Sequence, residues 1–219
     1  MSMRVELRIF FLFFILVSSV KKVGADELNA PFWQAKPKVF KRVVDDREII
    51  VSVTTEKLTA KVHKFSHRIK MQGGGLVYGQ IGPVFSKIQR YSELTKVSGH
   101  ILEVLWTPAT NELFIHTEAF KFHAVMTLKI QVDNNSHKLK FNVIKGHFEG
   151  MSGEFSFMEF AGHLKDNKQV RNSVLMGFNA RYDYQTPPMP QFLMEFGLEV
   201  ILQKVAGLMR SYLEKQPAL

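Results

Sequence analysis

His63 and His67 are the most closely spaced of the eight histidines, and such a pair could bind a metal ion. The residues around them alternate between apolar and polar, which predicts a strand. Four positions along a strand cover roughly 13 Å, so the two imidazoles cannot reach one ion. No histidine has a zinc-type spacing, and the chain has no cysteine. We therefore expect no metal site, and interpret His63 and His67 as hydrogen-bonded or solvated groups near the sheet rim, with a polar role inside a cavity as the alternative.

Glu103 and Glu118 are the carboxylates that could form an acid–base pair, because both alternate with apolar residues on neighbouring predicted strands. A solvated strand face is the simpler interpretation, since no residue has the local context of a catalytic base. The triplet Gly73 to Gly75 precedes neither a Lys-Ser/Thr pair nor a helix, so it is no phosphate loop, and we interpret it as a bend. We predict no catalytic residue and no cofactor.

A set of aromatic and large apolar side chains gives the sequence its strongest indication of a binding site. Strand alternation and helical spacing place them where a sheet and a C-terminal helix would face each other. Either they fill a core or they line a cavity for an apolar ligand. The pattern of residues leaves both open, and the prediction of a cavity comes from the family resemblance given below. The predicted ligand-binding residues are Phe122, Met126, Phe141, Phe155, Phe157, Met176, Phe178, Tyr182, Phe196, Val200 and Met209.

The elements that must position this set are mostly strands. Alternation from Lys61 to Met71 predicts a first strand, interrupted by the glycine triplet, and the β-branched residues from Val39 to Thr55 predict a short hairpin or a lead-in strand. Short turns separate six later segments, which predicts an antiparallel meander. Those segments are His100–Trp106, Glu112–Ala119, Lys121–Val132, Lys138–Lys145, Ser152–Phe160 and Val170–Tyr184.

Helical spacing appears in two places. Pro83 to Val97 predicts one or two short helices, and Gln191 to about Lys215 predicts one long helix of roughly 37 Å. The long helix is apolar around much of its circumference, so a sheet must contact it from several sides or leave a cavity beside it. The predicted fold class is α+β: a curved antiparallel sheet of about seven strands wrapped around the C-terminal helix, with two short helices after the first strand.

Two segments of this chain resemble a known superfamily. Leu139 to Phe157 is similar to a "strand, G-x-F-x-G-x-x-G, strand" segment, with Gly146, Phe148, Gly150 and Gly153 at the motif positions. Gly82 to Leu94 is similar to the helix pair of the same group. The succession resembles the START/helix-grip (SRPBCC) superfamily, in particular its polyketide cyclase and coenzyme Q-binding group, over about Thr59 to Glu214. The resemblance implies a deep apolar cavity for lipids, quinones, sterols or polyketides, but no single chemistry.

Residues 1–25 have the three regions of a secretory signal peptide. Arg4 and Arg8 precede the apolar run IFFLFFILV, and Val23-Gly24-Ala25 offers a cleavage site. The run is shorter than the roughly 20 residues that span a bilayer. We predict export to a periplasm or the outside, with cleavage after Ala25; an uncleaved anchor is the alternative. A leader would occupy residues 26–56, and the START-like domain residues 57–216.

The charge of the chain changes with that cleavage. Residues 1–25 contain four Lys or Arg and one Glu, so their removal lowers the net charge from +9 to +6. The remaining cations are spread over outward strand positions, with no basic helix or aromatic-lined basic groove, so we expect no nucleic-acid partner. They point instead to peripheral contact with an anionic membrane surface. The outward cations include Lys61, Lys64, Arg68, Lys70, Lys138 and Lys140.

Taken together, these features predict an exported, monomeric protein that binds a hydrophobic small molecule between the sheet and the C-terminal helix. The prediction favours a non-enzymatic role. A cyclase or hydrolase acting on a polyketide-like or ester substrate is one alternative, with Tyr182, His63 or His67 as its polar residues. An envelope-surface interaction protein without a ligand is the other.

Overall fold

The computed structural model describes residues 36–58, 65–119, 121–161, 172–186 and 193–215. The predicted signal peptide, most of the predicted linker before Val39, and His63, Lys61 and Lys64 lie outside the described residues. Within the described ranges, no helix combines the length and the apolar character that crossing a bilayer requires.

Eight antiparallel strands form one sheet in the order β1-β2-β8-β7-β6-β5-β4-β3. Strands β3 to β8 follow each other as the predicted meander, and β8 then pairs along its full length with β2. The strands are β1 (Ile50–Lys57), β2 (His67–Tyr78), β3 (Ile101–Thr107), β4 (Glu112–Ala119), β5 (Phe122–Asp133), β6 (Lys138–Gly146), β7 (Ser152–Phe160) and β8 (Ser173–Tyr184).

The helical segments lie before, within and after this sheet. A π-helical turn, Leu193–Gly197, leads directly into the long C-terminal helix α4. A 3₁₀ turn, Tyr91–Glu93, joins the two short helices. The α-helices are α1 (Pro37–Asp45), α2 (Ile81–Ile88), α3 (Leu94–Val97) and α4 (Leu198–Glu214).

The predicted α+β fold with a curved antiparallel sheet and a C-terminal helix is confirmed, but the sheet has eight strands rather than about seven. The additional strand is β1, which pairs with β2 from Ile50 opposite Gly74 to Lys57 opposite His67. The predicted domain boundary after residue 56 therefore falls inside β1. The short helices follow the second strand of the sheet and not the first.

Helix α1 corrects the prediction of a hairpin or strand from Val39 to Thr55, since only β1 is a strand there. Val43 and Val44 on α1 are buried against Leu76 of β2 and Leu175 of β8. These two strand residues point away from the face that packs on α4, so α1 covers the opposite face of the sheet. That contact outweighs the strand preference of the β-branched valines.

The glycine triplet does not interrupt β2, which corrects the second local prediction. Gly73 to Gly75 are paired in register with β8 on one side, and Gly73 and Gly74 with β1 on the other. Their lack of side chains instead leaves space above the inner face of the sheet, where α4 passes. This space is part of the candidate site.

Candidate functional site

A cavity of about 530 Å³ lies between the inner face of the sheet and α4. It satisfies the volume expected of a ligand pocket, roughly 300–1,000 Å³. Of the twenty described residues that line it, sixteen are apolar or glycine, and the other four are His100, Thr117, Glu118 and Tyr182. The cavity therefore suits a mostly hydrophobic molecule with few polar groups.

The predicted ligand-binding residues divide into three groups. Phe122, Met126, Phe178 and Tyr182 line the large cavity. Phe155, Met176 and Met209 line a smaller neighbouring cleft, which Phe178 also lines. The last group, which lines neither space, consists of Phe141, Phe157, Phe196 and Val200.

The residues of that last group lie away from both spaces in two different ways. Phe141 and Phe157 are buried among other core side chains, and the ring of Phe141 stacks on Phe178 at 6.4 Å. Phe196 is 72% exposed and Val200 39% exposed, because the π-helical turn and α4 have apolar residues on a solvent-facing side as well. Neither pair faces the cavity.

The sequence interpretation missed the part of α4 that does face the cavity. Leu198, Ile201, Leu202 and Val205 line it at positions i, i+3, i+4 and i+7. This is the spacing of one helix face, so it was visible in the sequence. However, α4 has apolar residues on several of its faces, and the sequence does not show which of these faces packs against the sheet.

His100 provides a polar group at one end of the lining. The N–H of Glu118 donates to the carbonyl oxygen of His100 at 2.8 Å, and His100 Nδ1 lies 3.0 Å from the carbonyl oxygen of Glu118. A carbonyl oxygen can only accept, so Nδ1 carries a proton. In the neutral ring Nε2 is then an acceptor, and it has no partner among the described residues.

Tyr182 provides a second polar group. Burial, and secondarily the charge of Glu149, raise the pKa of its phenol, so the hydroxyl is neutral at physiological pH. The ring of Phe148 meets that of Tyr182 edge-on at 5.5 Å. Tyr182 can donate or accept one hydrogen bond from a ligand, but it is not poised as a base.

The turn between β6 and β7 positions Phe148 over the cavity. Gly146 has φ +94°, and a Cβ there would collide with the carbonyl oxygen of Val125. Gly153 lets β7 approach the ring of Phe141 closely, because a Cβ would overlap that ring. These contacts explain two glycines of the G-x-F-x-G-x-x-G segment on which the resemblance was based.

The cavity does not contain an arranged acid–base pair among the described residues. Glu103 is exposed on β3, and the carboxylate of Glu118 lies 4.0 Å from His123 Nε2. His67 stacks on Tyr184 and bonds to Ser66, and it lines neither space. Within the described ranges, no group of three or more His, Asp or Glu residues is placed to hold a metal ion.

The smaller cleft has a volume of about 100 Å³ and is apolar except for Arg210 at its margin. Gly73, Gly74 and Gly75 of β2 form one wall, and Ala206 and Met209 of α4 form the opposite one. Phe178, Leu202 and Val205 line both the cleft and the large cavity. Only side chains therefore separate the two spaces at these positions.

Three of the outward cations predicted from the sequence are paired in the described part of the sheet. Arg68 donates two hydrogen bonds to Asp183, at 2.6 and 2.8 Å, and this hydrogen bonding raises the pKa of the guanidinium. Lys70 pairs with Glu56 at 2.9 Å, and Lys138 with Glu154 at 3.0 Å. These carboxylates partly neutralise the positive charge of the outer face at Arg68, Lys70 and Lys138.

No protein-family model matches the chain, and no curated protein matches it. Solved structures do. A START superfamily protein from Mycobacterium smegmatis aligns with a TM-score of 0.53 and 11% identity, over 66% of this chain and 97% of the other. The Zhui aromatase/cyclase from Streptomyces sp. R1128 aligns at 0.51 and 8%, over 67% and 91%. Ara h 8.0201 aligns at 0.51 and 9%, over 67% and 97%.

These similarities and the topology define the fold. The chain has the helix-grip fold of the START and related SRPBCC proteins, as the sequence resemblance predicted. At such low identities the similarity establishes the architecture alone, and the function has to be argued from the cavity.

Proposed function

We propose that this protein binds a hydrophobic small molecule in the cavity between the sheet and α4. The observation that carries the proposal is the cavity itself: about 530 Å³, with apolar side chains or glycine at sixteen of the twenty lining positions that the structure describes. An empty apolar space of this size sacrifices packing contacts, so a protein that retains it gains from filling it with a ligand. The aromatic and methionine side chains supply adaptable contacts for such a ligand.

The proposal extends to export, on the basis of the signal-like pattern of residues 1–25. An exported binding protein would shield an apolar molecule from water outside the cytoplasm. We favour binding over catalysis because, among the described residues, no side-chain hydrogen bond joins two of the four polar lining residues into an acid–base pair. A cyclase or hydrolase would need a base and an acid within hydrogen-bond reach of a substrate atom.

A cavity-filling substitution tests the proposal. Ala124 on β5 is buried and lines the cavity, whereas its neighbour Val125 lies on the other side of the strand. N-phenyl-1-naphthylamine, a neutral dye that fluoresces in apolar surroundings, should bind the wild-type protein saturably at one site. Ala124→Phe should weaken its Kd at least about tenfold, while Val125→Phe leaves it unchanged.

Two outcomes would contradict the proposal. One is the absence of saturable dye binding by the folded protein. The other is an equal Kd for Ala124→Phe and Val125→Phe, which would place the dye outside the cavity. The melting temperatures of both variants show whether each has kept its fold.

A further inference from the structure

The binding space has two chemically different ends. His100 precedes β3, the strand at one edge of the sheet, and lines the cavity at what we call its polar end. The glycine cleft is built on β1, β2 and β8, at the other edge of the strand order. The large cavity is lined by residues from both regions, so one elongated molecule could contact both.

The polar end accepts hydrogen bonds rather than donating them. The bond from His100 Nδ1 to the carbonyl oxygen of Glu118 fixes the tautomer of the neutral ring and leaves the lone pair on Nε2. Thr117 beside it already uses its hydroxyl proton on the carbonyl oxygen of Ala124, at 3.4 Å. The ligand group that suits this end is therefore a donor, such as a hydroxyl.

The apolar end is narrow. A Cβ at Gly75 would lie 3.3 Å from Ile49 Cγ1, and one at Gly73 would lie 3.2 Å from the carbonyl oxygen of Ile50. A side chain at Gly73 or Gly75 would therefore meet neighbouring atoms closely, and the cleft beside them has a volume of only about 100 Å³. A space of this size and polarity suits an unbranched alkyl segment.

We propose that the ligand is an elongated apolar molecule with a hydroxyl at one end, which donates to His100 Nε2, and an unbranched alkyl end, which enters the glycine cleft past Phe178, Leu202 and Val205. This inference rests on the proposed binding function and specifies its ligand class. The cleft wall formed by Gly73–Gly75 then limits the length of the alkyl segment that can bind.

Linear primary alcohols of increasing length, and their methyl ethers, test the polar end in competition with the dye. An alcohol should bind about two- to tenfold more tightly than the ether of the same chain, because only the alcohol donates to Nε2. His100→Phe should abolish that difference. His116→Phe, on the outer face of β4, should preserve it. Equal preference for the alcohol in the wild type and His100→Phe would overturn the assignment.

The same alcohols test the apolar end through their length. Binding should tighten about fourfold with each added methylene until the cleft is full. Ala206→Leu fills the cleft from α4 and should shorten that limit by about three carbons. The control is Gly207→Ala, which adds one carbon at the next position of α4. Gly207 lines neither space, so the chain length at which affinity stops increasing should be unchanged. An unchanged limit in Ala206→Leu would overturn the role of the cleft.

These results separate the inference from the function on which it rests. If the dye binds and Ala124→Phe weakens it, but alcohols and ethers compete equally and without a length limit, the cavity binds ligands and the two-ended assignment is wrong. If the dye does not bind at all, the proposed function itself fails.

Discussion

Tyr212 near the end of α4 donates a 2.8 Å hydrogen bond to the carboxylate of Glu93, in the 3₁₀ turn before α3. The bond ties the C-terminal helix to the short helical segment that follows α2. Burial, and then the bond to Glu93, raise the pKa of Tyr212 to about 12, so its hydroxyl keeps the proton at physiological pH. Tyr212→Phe should therefore lower the melting temperature by a few degrees, whereas Ser211→Ala, on an exposed neighbour, should change it less.

The same bond makes a prediction about acid. Hydrogen bonding from Tyr212 holds the pKa of Glu93 below its ordinary value of 4.5. A carboxyl whose pKa is lowered by folding stabilises the fold above its unfolded pKa and loses that contribution as the pH falls through the folded pKa. The stability difference between wild type and Tyr212→Phe should therefore be constant at neutral pH and shrink below about pH 4.5. A difference that grows in acid would contradict this assignment.

Tyr91 is a buried tyrosine that differs from Tyr212 in its hydrogen bonding. Its hydroxyl has no hydrogen-bond partner among the described residues, and burial raises its pKa to about 12. Its ring packs on Trp106 at 4.5 Å, a contact that phenylalanine would keep. Tyr91→Phe should leave the free energy of unfolding unchanged or raise it by up to about 2 kcal/mol in denaturant titrations. A loss of more than about 1 kcal/mol would reveal a partner for the hydroxyl.

Helix α1 should contribute to stability although it lies away from the cavity. Val43 is fully buried between α1 and the outer face of the sheet. Val43→Ala should lower the free energy of unfolding by about 1–3 kcal/mol, while Lys41→Ala on the exposed side of the helix changes it little. The dye affinity of both folded variants should equal that of the wild type. An unaffected stability in Val43→Ala would mean that α1 is not docked.

Gly207 on α4 is a site where a substitution should stabilise the protein. A Cβ there would lie 3.7 Å from Ile49 Cδ1, an ordinary contact distance. Alanine favours the helix over glycine by up to about 1 kcal/mol, so Gly207→Ala should raise the free energy of unfolding by that order. A decrease would show that α4 and the segment before β1 are packed more closely than this distance indicates.

The strands from Glu112 to Phe160 could be predicted from the sequence because their alternation has a period of two and each pair is joined by a short turn. Helix α1 could not, since Val39, Val43 and Val44 prefer strands by themselves. Their burial depends on Leu76 and Leu175, which come from strands distant in sequence. Local preference carries no information about such a partner.

The sequence predicts which side chains lie on the inner face of the sheet, but not which of them line a cavity. Alternation places Phe155, Phe157 and Phe178 on the inner side of the sheet, yet only packing in three dimensions decides which of them meets an empty space. His100 was not proposed as a site residue, because its role depends on the pairing with Glu118 across two strands. The resemblance to helix-grip proteins supplied the expectation of a cavity.

Native mass spectrometry of the protein purified from its own source, followed by extraction and identification of any bound molecule, shows whether the cavity holds a ligand. We expect one non-covalent apolar molecule per chain, with a hydroxyl and an alkyl end. It should be released unchanged by organic solvent and be strongly depleted in Ala124→Phe but retained in Val125→Phe. A wild-type protein that carries no such molecule and also fails to bind the dye, or a molecule retained equally by both variants, would contradict the account.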